Sequence, residues 1–146
     1  MAEHIVVGVD GSAEARGALT WALREASLRH AVVEAIYAWN LPFLWALGVR
    51  PHSWPDPLAL LEAAKQVLRG EVRLALESSE DHVPVEQIAT EGHPAEVLID
   101  ASARAALLVV GARGVGGFRR LGLGSVSQHC VQEAHCPVVV VHLPTQ

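Results

Sequence analysis

Residues 111–125, GARGVGGFRRLGLGS, put six glycines and three arginines (Arg113, Arg119 and Arg120) into fifteen positions. They follow the apolar run Ala105 to Val110 and precede a helix-like segment that begins at Ser125. Glycine has no β-carbon, so main-chain N–H groups can approach a ligand closely and the backbone can reach positive φ. Consecutive N–H groups curving inward, with the positive end of a helix behind them, make a nest for an anion. A strand, a glycine loop and a helix start are therefore the parts of a phosphate site. The competing reading is a glycine-rich turn that holds nothing.

Spacing narrows the chemistry. A Walker A loop needs Gly-Lys-Ser/Thr, and the chain's single lysine, Lys65, lies elsewhere. A dinucleotide fingerprint starting at Gly114 would require glycine where Arg119 stands, and would belong after the first strand. The pattern present is G-x2-G-x9-G-S, formed by Gly111, Gly114, Gly124 and Ser125. A second candidate is Asp10-Gly11-Ser12, where an acidic side chain follows the first apolar run; an Asx turn would explain Asp10 without any ligand. Ser125-Val126-Ser127-Gln128 matches a capping box with Ser125 as the cap, a role that can coexist with phosphate binding.

Other constellations are set aside. His129-Cys130 and His135-Cys136 suggest soft metal ligands, but Cys130 falls on an apolar stripe with Val126 and Ala134, so no metal site is expected. Gly-x-Ser-x-Gly is absent, which removes a nucleophile elbow. A phospho-acceptor aspartate at the end of the third strand is missing too, since Thr90-Glu91 stand there. No catalytic residue is assigned, and the chain is not expected to be an enzyme.

The elements that must position the loop read as alternating strands and helices. His4 to Asp10 is a β-branched run ended by a turn, and Ser12 can cap a helix reaching about Leu28 with Ala15, Ala18, Leu19, Ala22, Leu23 and Ala26 on one stripe. Ala31 to Trp39 reads as the second strand, and Asn40 to Pro57 as an irregular, Trp-containing excursion. Leu58 to about Ser79 reads as a second helix on Leu58, Leu61, Ala64, Leu68, Val72, Ala75 and Leu76. Val83 to Thr90 fits an edge strand, Pro94 to about Arg104 a third helix, Leu107 to Val110 the fourth strand and Val138 to His142 the last. Strands joined by helical crossovers lie parallel, so the class is α/β, an open doubly wound sheet with helices on both faces. Ligands in such sheets bind beyond the carboxyl ends of the strands where strand order reverses.

Composition is consistent with a single domain over residues 1–146: hydrophobic residues make up 51% and charged residues 18%. The net charge of −5 disfavours a general nucleic-acid binder, which needs a basic face. The start MAEHIVVGVDGS lacks the pattern of a signal peptide, and the apolar stretch 38–49 is broken by Asn40, Pro42 and Gly48, so a cytoplasmic protein with reduced cysteines and no membrane partner is expected.

IVVGVDGS at the start, Trp21-Ala22 in the first helix, VVGARG, GSVS and CPVVVV together resemble the universal stress protein family, in its ATP-binding branch, over nearly the whole chain. The resemblance implies a five-stranded parallel sheet in the order 3-2-1-4-5, ATP over the strand ends, with Mg a possible companion, and a homodimer through the last strand, Pro137 to His142. It further implies that Asp10 lies beside ribose and adenine, the main chain near Ala38 faces the adenine edge, and Gly111 borders the ribose. Gly114, Gly124, Ser125 and Val126 would donate to phosphates, with Ser12, Arg113 and Ser127 in the same cofactor-binding set. The implied function is a nucleotide-dependent regulatory module in the stress response, with a slow ATP hydrolase, or an AMP or cyclic AMP sensor, as the alternative on the same fold.

Overall fold

Ile5, Val6 and Val7 have no exposed surface. A strand covered on both faces requires that, which is why this run shows no polar alternation. The computed structural model describes residues 2–40, 56–113 and 123–143. Within them the order is β1 (His4–Gly8), α1 (Ala13–Arg29), β2 (Val32–Trp39), α2 (Pro57–Glu77), β3 (Val85–Glu91), α3 (Pro94–Ser102), β4 (Leu107–Gly111), α4 (Ser125–Glu133) and β5 (Val138–Val141).

The strands form one parallel sheet in the order β3-β2-β1-β4-β5, as expected. Side chains alternate across it. Ile5, Val7, Val33, Ala35, Leu107 and Val109 pack under α1 and α2, whereas Val6, Ile36, Leu108 and Val110 pack under α3 and α4. The chain therefore leaves β1 toward one face and β4 toward the other, and these two strands are neighbours. Their carboxyl ends border the crevice where strand order reverses.

Helix ends follow local chemistry. Ser12 Oγ accepts from the Ala15 amide at 3.2 Å and starts α1, which stops at His30 in the left-handed region with its amide bonded to the Ala26 carbonyl. Asp56 caps α2 by accepting from the Leu58 amide at 3.0 Å, and Pro57 is the first helical residue rather than the end of the excursion. The remainder of that excursion, residues 41–55, lies outside the described residues. The expected α2 stripe holds at Ala64, Leu68, Val72 and Ala75, but Leu58, in the helix's first turn, is 71% exposed.

The capping box at Ser125 is corrected by the structure. Gly124 is the cap residue, and Ser125 is the first residue of α4. The reason is main-chain geometry: the Gly124 amide donates to the Ala112 carbonyl at 2.6 Å, and the Gly124 carbonyl accepts from the Gln128 amide at 3.0 Å. The helix thus begins one residue early and carries no side-chain cap.

At the other side of the crevice, α1 lies so close to β4 that only glycine fits at 111. A β-carbon there would stand 2.8 Å from the Glu14 carbonyl carbon and 2.9 Å from the Ala15 nitrogen. Both are helix backbone atoms and cannot swing aside. Gly111→Ala is expected to cost about 1–3 kcal/mol through overpacking, read as a lower urea midpoint at unchanged slope. An unshifted midpoint would contradict this packing.

Candidate functional site

The crevice walls are the turn after β1, the end of β2, the exit of β4 and the first turn of α4. Asp10 Oδ1 accepts from both the amide and the hydroxyl of Ser12, at 2.9 and 2.5 Å, while Gly11 takes φ +83° between them. This is an Asx turn, and it explains the acidic residue and the glycine by the turn itself. The Ser12 hydroxyl donates to Asp10 and accepts from Ala15, so both its roles are used within the protein.

Glu14, in the first turn of α1, is buried and faces the exit of β4. Its Oε2 accepts from the Arg113 main-chain amide, and its Oε1 accepts from Arg113 Nη2 at 2.9 Å and Nε at 3.2 Å. The expected site residue Arg113 is thereby clamped onto α1. Gly111 is in the same clamp, against the Glu14 backbone.

On the α4 side, the Ser127 hydroxyl is buried within 2.7 Å of the Ala112 carbonyl and 3.0 Å of the Gly124 carbonyl. It pins the loop's two ends together. Ser125 is exposed and Val126 half-buried. As the first and second residues of an α-helix, their amides have no intrahelical acceptor, and they sit at the positive end of the helix dipole. Gly114 lies outside the described residues.

Ala38 is two residues beyond Ile36, whose carbonyl accepts from the Val9 amide on the β1 side at 2.8 Å. Alternation along a strand repeats every second residue, so the Ala38 amide and carbonyl face that side too, past the end of β1. The Trp39 carbonyl faces the opposite way, accepting from the Gly92 amide at 2.6 Å. Tyr37 is half-buried, and its phenol is pushed above the usual range by burial and by the nearby Asp10 charge.

The structure thus gathers Asp10, Ser12, Ala38, Gly111, Arg113, Gly124, Ser125, Val126 and Ser127 on one edge of the sheet. It divides them by what they present. Ser12, Ser127 and the Gly124 amide are engaged inside the protein, while the Ala38 main chain lies past the end of β1 and the Ser125 and Val126 amides lie in the first turn of α4. Glu14 and Tyr37 were missed from sequence. Glu14 had no visible signal, because its partner stands 99 residues away.

Elsewhere, His4, Glu34 and Glu86 come together at the amino end of the sheet. Glu34 is buried, with Arg104 Nη2 at 2.8 Å and His4 Nδ1 at 2.8 Å, so a guanidinium already supplies its countercharge. A groove of about 640 Å³ lies between α2 and β3, lined by Arg69, Val72, Arg73, Leu76 and Gln87, away from the crevice.

A family model described as "Universal stress protein family" matches residues 1–142. The chain belongs to that family. A universal stress protein of Mycobacterium tuberculosis is 37% identical over 142 residues, covering 94% of this chain and 47% of the relative. One of Mycolicibacterium smegmatis is 36% identical over 144 residues, with the same coverage of 94% and 47%. The chain spans about half the length of the curated relatives it matches. Among solved structures, the universal stress protein UspA from Lactobacillus plantarum superposes with a TM-score of 0.72 at 24% identity, over 95% of this chain and 97% of that one. A universal stress protein in complex with cAMP gives 0.67 at 24%, over 96% of each chain. One from Archaeoglobus fulgidus in complex with dAMP gives 0.66 at 22%, over 95% and 97%. These likenesses show the universal stress protein fold. No helix among the described residues is long and apolar enough to cross a membrane.

The thiols in this universal stress protein fold are apolar packing groups. Cys130, on the core-facing side of α4, is fully buried, and burial pushes its pKa up to about 11. Cys136 is half-buried and raised for the same reason. Thiolate is the reactive form, so at pH 8 a disulfide reagent is expected to label Cys136 first and Cys130 only on unfolding. Equal native-state labelling rates would contradict the burial of Cys130.

Proposed function

We propose that this chain is a nucleotide-binding regulatory module, with ATP as its first candidate ligand, bound across the carboxyl ends of β1, β2 and β4. The observation that carries the reading is the start of α4. It begins at the carboxyl end of the parallel sheet, its cap residue is a glycine, and no side chain among the described residues caps it. A phosphate would give the Ser125 and Val126 amides an acceptor, and the helix dipole favours the charge. The main chain of Ala38 offers one donor and one acceptor, which suits an adenine edge. Asp10, shaped by its Asx turn, stands between the two as the acidic neighbour of a ribose. Gly114 belongs to the same set as an expectation from its spacing.

Binding rather than turnover is the better reading. Phosphoryl transfer needs a group that orients the attacking oxygen about the γ-phosphate. Of the two carboxylates at the crevice, Asp10 is tied to Ser12 and Glu14 to Arg113. Mg would come with the triphosphate. A monophosphate or cyclic AMP reading is favoured by one further fact: two related structures are described as complexes with cAMP and dAMP. The two arms are separated by titration with each nucleotide.

Dimerisation through β5 is part of the proposal. Val138 to Val141 form an edge strand of four valines, each half-buried, with no charged residue among them. Pairing two such edges would remove an exposed row of main-chain donors and acceptors.

Gly124→Asp tests the site. The cap backbone, with φ −72° and ψ 167°, is open to aspartate, whose carboxylate would accept from the Val126 or Ser127 amide and set a negative charge beside the phosphate position. The variant is expected to fold, with a cooperative melting transition as the check, and to lose ATP affinity by roughly 100-fold or more, from two lost charge-assisted hydrogen bonds. Calorimetry showing parental affinity in the folded variant would refute the assignment.

A further inference from the structure

The clamp between Glu14 and Arg113 points to a control on the site that rests on the nucleotide reading. The Glu14 side chain is 7% exposed, and a carboxylate so buried must be paired. Its partners are one main-chain amide and one guanidinium, both from Arg113. That donor set is what proteins use for phosphate, which like carboxylate accepts from arginine in a planar fork. The Arg113 side chain is 31% exposed, so a ligand can reach it. Its neighbour Ala112 holds both the Gly124 amide and the Ser127 hydroxyl, which puts the root of Arg113 beside the start of α4.

We propose that Glu14 is an internal stand-in for phosphate. Its carboxylate holds the Arg113 guanidinium when the site carries no nucleotide and yields it to a phosphate when one binds. The main-chain contact from the Arg113 amide stays in place and keeps the loop root oriented. On release Glu14 keeps its bond from the Arg113 amide and the favourable end of the α1 dipole, which together offset part of the cost of losing the guanidinium. Part of the nucleotide's interaction with Arg113 is spent on displacing Glu14, so the residue sets how much nucleotide is needed to fill the site.

The test compares the parent with Glu14→Gln. Glutamine keeps an oxygen for the Arg113 amide but holds the guanidinium more weakly. ATP affinity by calorimetry is expected to rise about tenfold, the difference between a charged and a neutral hydrogen-bond partner. The gain should vanish when Arg113→Gln is combined with it, as a coupled pair requires. In the parent, the ¹⁵N resonance of Arg113 Nε should shift on adding ATP. A folded Glu14→Gln protein that binds ATP no tighter than the parent, or an Nε signal that ATP leaves in place, would overturn the proposal while leaving nucleotide binding intact. A parent that binds neither ATP, AMP nor cyclic AMP at millimolar concentration would overturn the nucleotide reading, and this proposal with it.

Discussion

Everything at the candidate site hangs on β1 and β4 lying side by side while the chain leaves them toward opposite faces. The pairing of Ile5, Val6 and Val7 with Leu107, Leu108 and Val109 is wholly apolar and almost wholly buried. At roughly 1.5–3 kcal/mol for each large side chain buried, it is among the strongest local contributions to the fold. Once these strands are fixed, α1 must descend onto one side of their ends and α4 must rise on the other. Gly111 is where the constraint becomes steric, since α1 packs against the strand end at a distance that admits no side chain.

From that contact the site assembles through main-chain bonds. The Ala112 amide donates to the Val141 carbonyl, and its carbonyl receives Gly124 and Ser127. One residue thus joins β5, β4 and α4. The same bonds put the cap at Gly124 and the helix start at Ser125, and leave the helix without a side-chain cap. The feature that suits an anion is therefore a consequence of how the loop's ends are tied. Ser127 and Ser12 contribute by holding backbone in place, and the groups presented to the crevice are amides.

How much of this was legible depended on whether a signal was local. The fold was readable because β-branched runs, helical stripes and the turns at Asp10-Gly11-Ser12 and His93-Pro94 are all written within a few residues. Asp56-Pro57 was equally readable as a cap and first helical residue, yet it was absorbed into the excursion before it. The site was half legible. Glycine spacing marked the loop, and the resemblance supplied Ala38, but hydroxyl-bearing residues look alike in sequence whether they face a ligand or a carbonyl. Ser125 read as a cap and is not one, whereas Ser127 read as a ligand contact and is a buried pin. Glu14 was illegible, because its meaning lies in an arginine contributed by the far half of the chain.

The central claim is that the amides at the start of α4 and the end of β2 face one ligand. The most direct measurement is an amide ¹H–¹⁵N spectrum of the full chain, titrated with ATP. The account predicts that the Ser125, Val126 and Ala38 amides shift together along one binding curve, with amides at the opposite end of the sheet, such as those of His4 and Glu34, unmoved. Shifts confined to the groove between α2 and β3, or none at saturating ATP, AMP and cyclic AMP, would contradict it.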